Sequence, residues 1–450
     1  MLRLLNILCQ LNFGMAIAVY YGRMMQRCLL IADDLTGGAD AGAQFAKRGF
    51  TTLLISLKTG ARVDLSKFTQ QGVLVVNTDS RELSPERAYS VISNLLKDYQ
   101  EALFPIIYKK IDSTLRGNIG SESDAILKET NGSLCFMAPS YPEQNRTLVG
   151  GILIVGEKPL ALTEVARNTA SPIQESHVYK ILQNQSHNNV GWIDLTHVAS
   201  SSEGLQKAVE KEQKKGNRII IFDAVSRQDL KNIANVGFSM EKKPLFVGSA
   251  GLAEEVAKKL SPSKARSFHP IKPFNHIFLV SGTASSVTHQ QLRQVEARGI
   301  PAFEVNRSLI LGESEKSQKE KEGLSKEIAN SLSRGITILK TPSEMLDPKD
   351  SGNPPTHLKI TKTLAAIALS ALEASCVAPH DLALILTGGD TAQSIINALG
   401  NEGIVIEGEL LKGIVKGHLI GGNWDGLNII TKAGAFGKEN ALEKIIGMLQ

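Results

Sequence analysis

Only four cysteines occur in the 450-residue chain, Cys9, Cys28, Cys135 and Cys376, and they are far apart with no CxxC. That spacing argues against a disulfide framework and a thiolate zinc site, and the nine histidines show no metal-ligand spacing. Cys28 and Cys135 fall inside apolar runs and read as small core hydrophobes. Aromatic residues make up 5% of the chain, which weakens any base-stacking surface. The net charge of +5 is spread without a basic block, and no RNP-type run or zinc-finger spacing occurs, so nucleic acid is not the expected partner. A Walker-type GxxxxGK[ST] is missing, as are the HRD and DFG sets of protein kinases. No strand-like run leads into G-x-G-x-x-G with an acidic residue about 20 positions on, the dinucleotide-binding pattern.

An apolar run long enough to cross a bilayer is also lacking. Residues 4–21 come nearest, but Asn6, Gln10 and Asn12 interrupt them. No charge falls between Arg3 and Arg23, and Ala16-Ile17-Ala18 resembles a signal-peptide cleavage site. Met24-Met25 immediately precedes the first strand-like run, so a start codon placed too early is preferred over a secretory leader. Residues 1–25 are then an extension outside the core.

What is present suits a soluble globular protein: 42% hydrophobic and 21% charged residues. The length predicts two domains. Short apolar runs at Thr52–Ser56, Val73–Asn77, Ile219–Phe222, 244–247, 277–280 and 382–386 alternate with helix-period segments. That alternation predicts βα units, hence an α/β fold of two domains, each with a mainly parallel sheet flanked by helices. Residues 261–274 hold three prolines and few periodic apolar residues, and read as a linker between domains at 26–260 and 275–450. Residues 313–326 read as a solvated helix face or the loop before it, and 347–357 as a surface loop.

The richest segment is residues 31–40, Ile-Ala-Asp-Asp-Leu-Thr-Gly-Gly-Ala-Asp, a strand end, a small-residue turn and a helix start. Such turns, at the carboxyl edge of a parallel sheet, are where α/β proteins bind ligands. Adjacent carboxylates there bind hydroxyls, hold Mg²⁺ through water, or take a proton. A helix cap by Asp34 or Thr36 explains one acid but not Asp33, Asp34 and Asp40 together. Residues 109–118, Lys-Lys-Ile-Asp-Ser-Thr-Leu-Arg-Gly-Asn, form a loop dense in groups that bind anions and polyols. Turns at 248–251, 281–286 and 387–391 each follow an apolar run and open a helix. Glycine and small hydroxyl residues at a helix start let backbone N–H groups approach a phosphate, so their recurrence points to a nucleotide site.

Taken in order, these segments, with Ala-Pro-Ser-Tyr-Pro at 138–142, Asn145-Arg146-Thr147 and Thr-Lys-Ala-Gly-Ala-Phe-Gly at 431–437, resemble the four-carbon acid sugar kinases. The resemblance runs from about Arg27 to the C-terminus. The runs at 77–81, 176–178 and 421–427 look most like the threonate/erythronate kinase branch. One departure is Lys412-Gly413-Ile414-Val415, where the family commonly has Pro-Gly-Val-Pro after a Gly-Glu; without the prolines this loop is expected to be less preorganised. The resemblance implies an N-terminal sugar-acid-binding domain, a C-terminal nucleotide-binding domain and an active site in the interdomain cleft. It further implies ATP and Mg²⁺ as cofactors, threonate, erythronate or 3-oxo-tetronate as acceptor, and no membrane partner. A cytoplasmic location is expected, because ATP has no supply outside, and there is room for a homodimer.

Kinase catalysis is mainly positioning and charge neutralisation. An acid's carboxylate suits Arg81, Arg116 or Arg146, whose planar forks bind two oxygens at once. Arg116 is favoured because Asp112, Ser113 and Asn118 crowd the same loop, although each arginine also reads as an exposed ion pair. Asp33, Asp34, Asp79, Asp112 and Asn145 are the candidates for acceptor hydroxyls. Asp34 or Asp112 is the expected general base, with the choice open. Lys110 either neutralises the transferred phosphate or pairs with a neighbour. For ATP, Gly388 and Gly389 offer backbone amides, and Asp390 and Thr391 cap the helix or reach ribose or Mg²⁺. Ser281 and Thr283 offer hydroxyls, and Gly434 and Gly437 permit close approach. No metal ligands are assigned. Two other classes remain open: an NAD-dependent hydroxy-acid oxidoreductase, weakened by the missing dinucleotide pattern, and a non-catalytic sugar-acid-binding protein, which has no need of several phosphate-type turns.

Overall fold

Short apolar segments become strands in this computed structural model, which describes residues 27–57, 63–167, 172–260, 272–283, 285–312, 314–342 and 356–450. In chain order the strands are β1 (Cys28–Ala32), β2 (Thr52–Ser56), β3 (Val73–Asn77), β4 (Ile106–Lys110), β5 (Cys135–Ala138) and β6 (Arg146–Val149). Next come β7 (Ile152–Val155), β8 (Lys158–Pro159), β9 (Val190–Ile193), β10 (Ile219–Phe222), β11 (Leu245–Gly248) and β12 (His276–Ser281). The last are β13 (Ala302–Glu304), β14 (Ile336–Lys340), β15 (Leu382–Thr387), β16 (Gly403–Leu411), β17 (Ile414–Ile420) and β18 (Asn428–Lys432).

By contacts the chain divides into two units. The first is built from the described residues of Met1–Asp33, Leu57–Arg167 and Ile173–Lys264, the second from those of Asp34–Ser56, Asn168–Pro172 and Ala265–Gln450. The partition is not the single cut after residue 260 that the sequence suggests. Residues 34–56 go with the second unit because β2 pairs antiparallel with β16, Leu54 opposite Ile404. The expected extension at 1–25 and most of the expected linker at 261–274 and loop at 347–357 lie outside the described residues.

The first unit carries a parallel sheet in the order β3-β1-β4-β11-β5-β10-β9. Its strands are buried almost throughout, as a parallel sheet covered on both faces requires. The register matters most: Asn77 lies opposite Ala32, Ala32 opposite Lys110, Lys110 opposite Gly248, and Gly248 opposite Ala138. All the loops that follow these residues therefore leave from one edge. Cys28 and Cys135 are fully buried in β1 and β5, and burial pushes both thiols up, whereas Cys376 is exposed. A small antiparallel sheet, β6-β7-β8, completes this unit's strands.

The second unit pairs β13-β14-β12-β15-β18 in parallel, then adds β17, β16 and β2 antiparallel. Its core joins Ile277, Leu279, Ile385 and Ile430 of the sheet to Leu292 and Ile446 of helices. The charged stretch at 313–326 falls largely in the helix Glu315–Leu332, capped by Ser314. The β16–β17 hairpin turns at Lys412-Gly413, the segment that departs from the family pattern. Its turn is held without prolines: Glu409 accepts the Gly413 amide at 2.8 Å, and Gly413 takes φ +74° against the Phe436 ring. Among the described residues no helix is long and apolar enough to cross a membrane.

Candidate active site

At the carboxyl edge of the first unit, four of the predicted residues meet. Asp33 directly follows β1, and its carbonyl accepts the amides of Ser80 and Arg81 at 3.1 and 3.3 Å. That docks the loop after β3 so that Arg81 reaches back to the Asp33 carboxylate, Nε to Oδ2 at 2.8 Å and Nη2 to Oδ1 at 3.0 Å. In the loop after β4, Arg116 Nε meets Asp112 Oδ2 at 2.6 Å and Nη2 meets Oδ1 at 3.2 Å. Thr114 also donates to Asp112. Burial on its own would raise the Asp112 carboxyl, but Arg116 and Arg81 beside it hold it well below the usual carboxylate range. Two bidentate arginine–carboxylate pairs thus stand together, an arrangement suited to planar carboxylates and polyol hydroxyls.

Beneath them lies a layer that the sequence reading missed. Lys109 and Glu122 form an ion pair of 2.6 Å with side chains 0% and 1% exposed. Ser80 donates to the same Glu122. Burial raises the Glu122 carboxyl, Lys109 opposes the shift, and the Asp33 charge adds to it. Successive strand residues point to opposite faces. Two lysines in a row at a buried strand end therefore send at least one inward, and Glu122 in the following helix Ile119–Glu129 was the available signal. Asn118 ties the layer together by donating to the carbonyls of Ser80 and Leu83.

The remaining predicted residues of this unit are placed differently. Lys110 turns its Nζ to the Ile111 carbonyl at 2.8 Å. Ser113 is buried within the 112–116 loop. Asp79 is exposed in the turn before Arg81, with φ +49°. Asn145, exposed with φ +56°, and Arg146 follow β5. Asn145 closes the turn Pro142–Gln144 and Arg146 opens β6, so neither lies in the loops that directly follow β1, β3 and β4.

In the second unit the turns after β12, β15 and β18 are neighbours, because those three strands are adjacent. Thr387 donates to Ser281 Oγ at 2.9 Å, and the Gly388 amide donates to the Lys432 carbonyl at 3.0 Å. Thr283 sits between the turns: a Cβ at Gly388 would come within 3.3 Å of it, and one at Gly434 would overlap its hydroxyl. Thr391 is buried against Gly282, where a Cβ would come within 2.5 Å of its hydroxyl. Gly388, φ +95°, precedes the helix Gly389–Ala398 with no side-chain cap, so its first amides stay open to an anion. Asp390 is exposed on the first turn. Gly437 is bordered instead by Ala441, Gln291 and Ile414.

Asp34, expected with the sugar-acid residues, belongs by contacts to this second unit. It caps the helix Leu35–Ala46, accepting from Thr36 Oγ1 at 2.6 Å and the Gly37 amide at 3.2 Å. The same carboxylate faces Gly389, whose Cβ would lie 3.4 Å from Asp34 Oδ2 and Thr36 Oγ1. A carboxylate and a hydroxyl therefore border the Gly-Gly helix start. Among the described residues no three histidine, cysteine or carboxylate side chains converge on a metal position. A divalent cation here would have to share its ligands with a nucleotide's phosphates, which is how Mg²⁺ is commonly held.

Two family models match the chain. One, described as a sugar-binding N-terminal domain, covers residues 28–256, and one described as a nucleotide-binding C-terminal domain covers 278–442. The chain is 31% identical to a D-threonate kinase of Salmonella typhimurium, over 92% of this chain and 96% of that protein. It is 29% identical to a D-erythronate kinase of Heliobacterium modesticaldum, over 93% and 95%. Against a 3-oxo-tetronate kinase of Brucella melitensis the identity is 23%, over 91% and 93%. A crystal structure from Salmonella typhimurium superposes with a TM-score of 0.76 at 22% identity, covering 95% of this chain and all of that one. That likeness speaks for the fold alone. These matches lend no support to the oxidoreductase or binding-protein alternatives.

Proposed function

This chain belongs to the four-carbon acid sugar kinase family, and we propose that it transfers the terminal phosphoryl group of ATP to a hydroxyl of threonate, erythronate or 3-oxo-tetronate. The observation that carries the acceptor class is the pair of bidentate arginine–carboxylate contacts, Arg81 on Asp33 and Arg116 on Asp112. Guanidinium groups at that edge bind the acid's carboxylate, and the carboxylates accept from its hydroxyls.

The nucleotide-binding role rests on the second unit. The uncapped helix start at Gly389 offers amides to phosphate, and Ser281, Thr283 and Thr391 supply hydroxyls around it. These groups fit a nucleotide's phosphates. Mg²⁺ neutralises charge on those phosphates, and Asp390, exposed on the first turn of the helix Gly389–Ala398, is the carboxylate beside them. Of the two general-base candidates, Asp112 is committed to Arg116 and Thr114 and is held ionised far below neutral pH, which makes it a weak base. The proton of the attacking hydroxyl is therefore assigned to Asp34, and Asp112 to binding.

The test is an ADP-release screen with purified protein over the three acids, with MgATP and with EDTA in excess. Turnover with at least one of them, abolished by EDTA, is the expected outcome. Turnover unaffected by EDTA, or none with any four-carbon acid, would sink the reading.

A further inference from the structure

Lys432, the last residue of β18, is fully buried and has no carboxylate partner among the described residues. Its Nζ donates to Thr288 Oγ1 at 2.9 Å and to the carbonyls of Ala433 and Gly434, each at 3.2 Å. Thr288 spends its own proton on Gly434 O at 2.7 Å. It must therefore accept from the lysine, and the three contacts call for three N–H groups. An ammonium has three, a neutral amine only two.

Thr288 lies in the helix Ser286–Glu296, and three residues further along it, so on the same face, Gln291 donates Nε2 to the carbonyls of Phe436, Gly437 and Lys438 at 3.3, 3.3 and 2.8 Å. Together Lys432, Thr288 and Gln291 collect five carbonyls of the 433–438 loop. In a planar trans peptide the next residue's N–H points the opposite way. The amides of Gly434, Ala435 and Gly437 are thus turned away from this helix, and no acceptor among the described residues takes them. The Gly434 end of the loop lies beside Thr283, and Lys432 O holds the Gly388 amide.

We propose that Lys432 is a positioning residue of the nucleotide site: it fixes the 433–438 loop as an outward-facing cradle of amides for the nucleotide's phosphates, whose charge in turn keeps the lysine protonated. This rests on reading the second unit as the nucleotide-binding one. Burial pushes the Lys432 ammonium down to about 7. The side chains facing it are Thr288 and Gln291, with Thr387 beside it in β15 and Ile414 in β17, and none of these ionises. The ionisable neighbour on the helix, His289, bonds Thr283 instead, and burial keeps it below its ordinary value. With no charged side chain among the described residues placed to hold the proton, a bound polyphosphate is the group that restores it.

The experiment is calorimetric titration of MgATP into the full-length protein at pH 7.5, in buffers of differing ionisation enthalpy. The wild type is expected to take up a fraction of a proton on binding. Lys432→Met is expected to bind MgATP at least tenfold more weakly and to lose the buffer dependence, with affinity for the sugar acid unchanged. Should Lys432→Met fail to fold, Thr288→Val decides: it leaves the ammonium but removes one of its acceptors, and is expected to raise the KM for ATP with little change in kcat. A wild type that binds MgATP without proton uptake, or a variant with unaltered ATP affinity, overturns the inference. A wild type that does not bind MgATP overturns the nucleotide-site reading, and this inference with it.

Discussion

Arg81 holds Asp33 through both of its carboxylate oxygens, at 2.8 and 3.0 Å, with the aspartate side chain 3% exposed. Arg81→Ala strands a buried carboxylate, and a loss of about 3–5 kcal/mol is expected. Asp33→Asn combined with Arg81→Ala removes both charges and is expected to cost less than the two single changes added together. Urea denaturation of the four proteins measures the coupling, which should be about 1–3 kcal/mol. Additive losses would mean that the pair does not act as a unit.

Asp112 gives a pH prediction. Its folded carboxyl titrates below the unfolded value, so its stabilising contribution is present above about pH 4 and is lost as pH falls through the lower folded value. The stability difference between wild type and Asp112→Asn should be flat from pH 8 to about 4 and shrink below that. In Arg116→Ala the folded value lies closer to the unfolded one, so the contribution above about pH 4 should be smaller and its loss complete at a higher pH. Denaturant midpoints across that range provide the check.

The two sites should separate by ligand. Arg116→Ala is expected to weaken the sugar acid by about 10–100-fold, the worth of a charge-assisted contact, and to leave ATP affinity alone. Gly389→Val, whose branches would meet Asp34 and Thr36, is expected to weaken ATP binding, as is Asp390→Ala. Separate titrations of ATP and acid decide the matter. An Arg116→Ala protein with only its KM for ATP raised would contradict the assignment.

Gly413 tests the hairpin that replaces the family's proline-bearing loop. Alanine there is strained at φ +74° and runs into the Phe436 ring. A loss of about 2–3 kcal/mol is expected from left-handed strain and overpacking together. Adding Phe436→Leu should recover the steric part and leave the strain. Melting temperatures of the single and double variants show whether the two positions are coupled.

β1, β3, β10, β11, β12 and β15 were legible because each is a short, nearly unbroken apolar run, and their parallel order follows from the helices between them; β6, β8, β13 and β17, whose sequences mix in polar residues, were not. The residues Asp33, Arg81, Asp112 and Arg116 stood out because they lie in the loops that follow β1, β3 and β4, at the edge where a parallel sheet gathers its loops. What was not legible depends on distant pairing. β2 looks like any other early strand, and only its hydrogen bonds to β16 take residues 34–56 into the second unit. Lys109 and Lys110 are indistinguishable by type, and only the helix carrying Glu122 decides which is paired. Lys432 lay in plain view within the 431–437 motif, but its role depends on Thr288 and Gln291, brought to it by packing rather than by any local pattern.

The sealed thiols of Cys28 and Cys135 make the chain its own unfolding clock. Both belong to the first unit, and both are closed to reagent unless its sheet opens. Cys376, at the end of the helix Thr356–Ser375 in the second unit, is open to modification in the native state. After Cys376 is capped, the rate at which further alkylation appears at Cys28 and Cys135 reports opening of the first unit alone. Comparing that rate with sugar acid present and with ATP present would show which ligand protects the first unit, with no engineered probe.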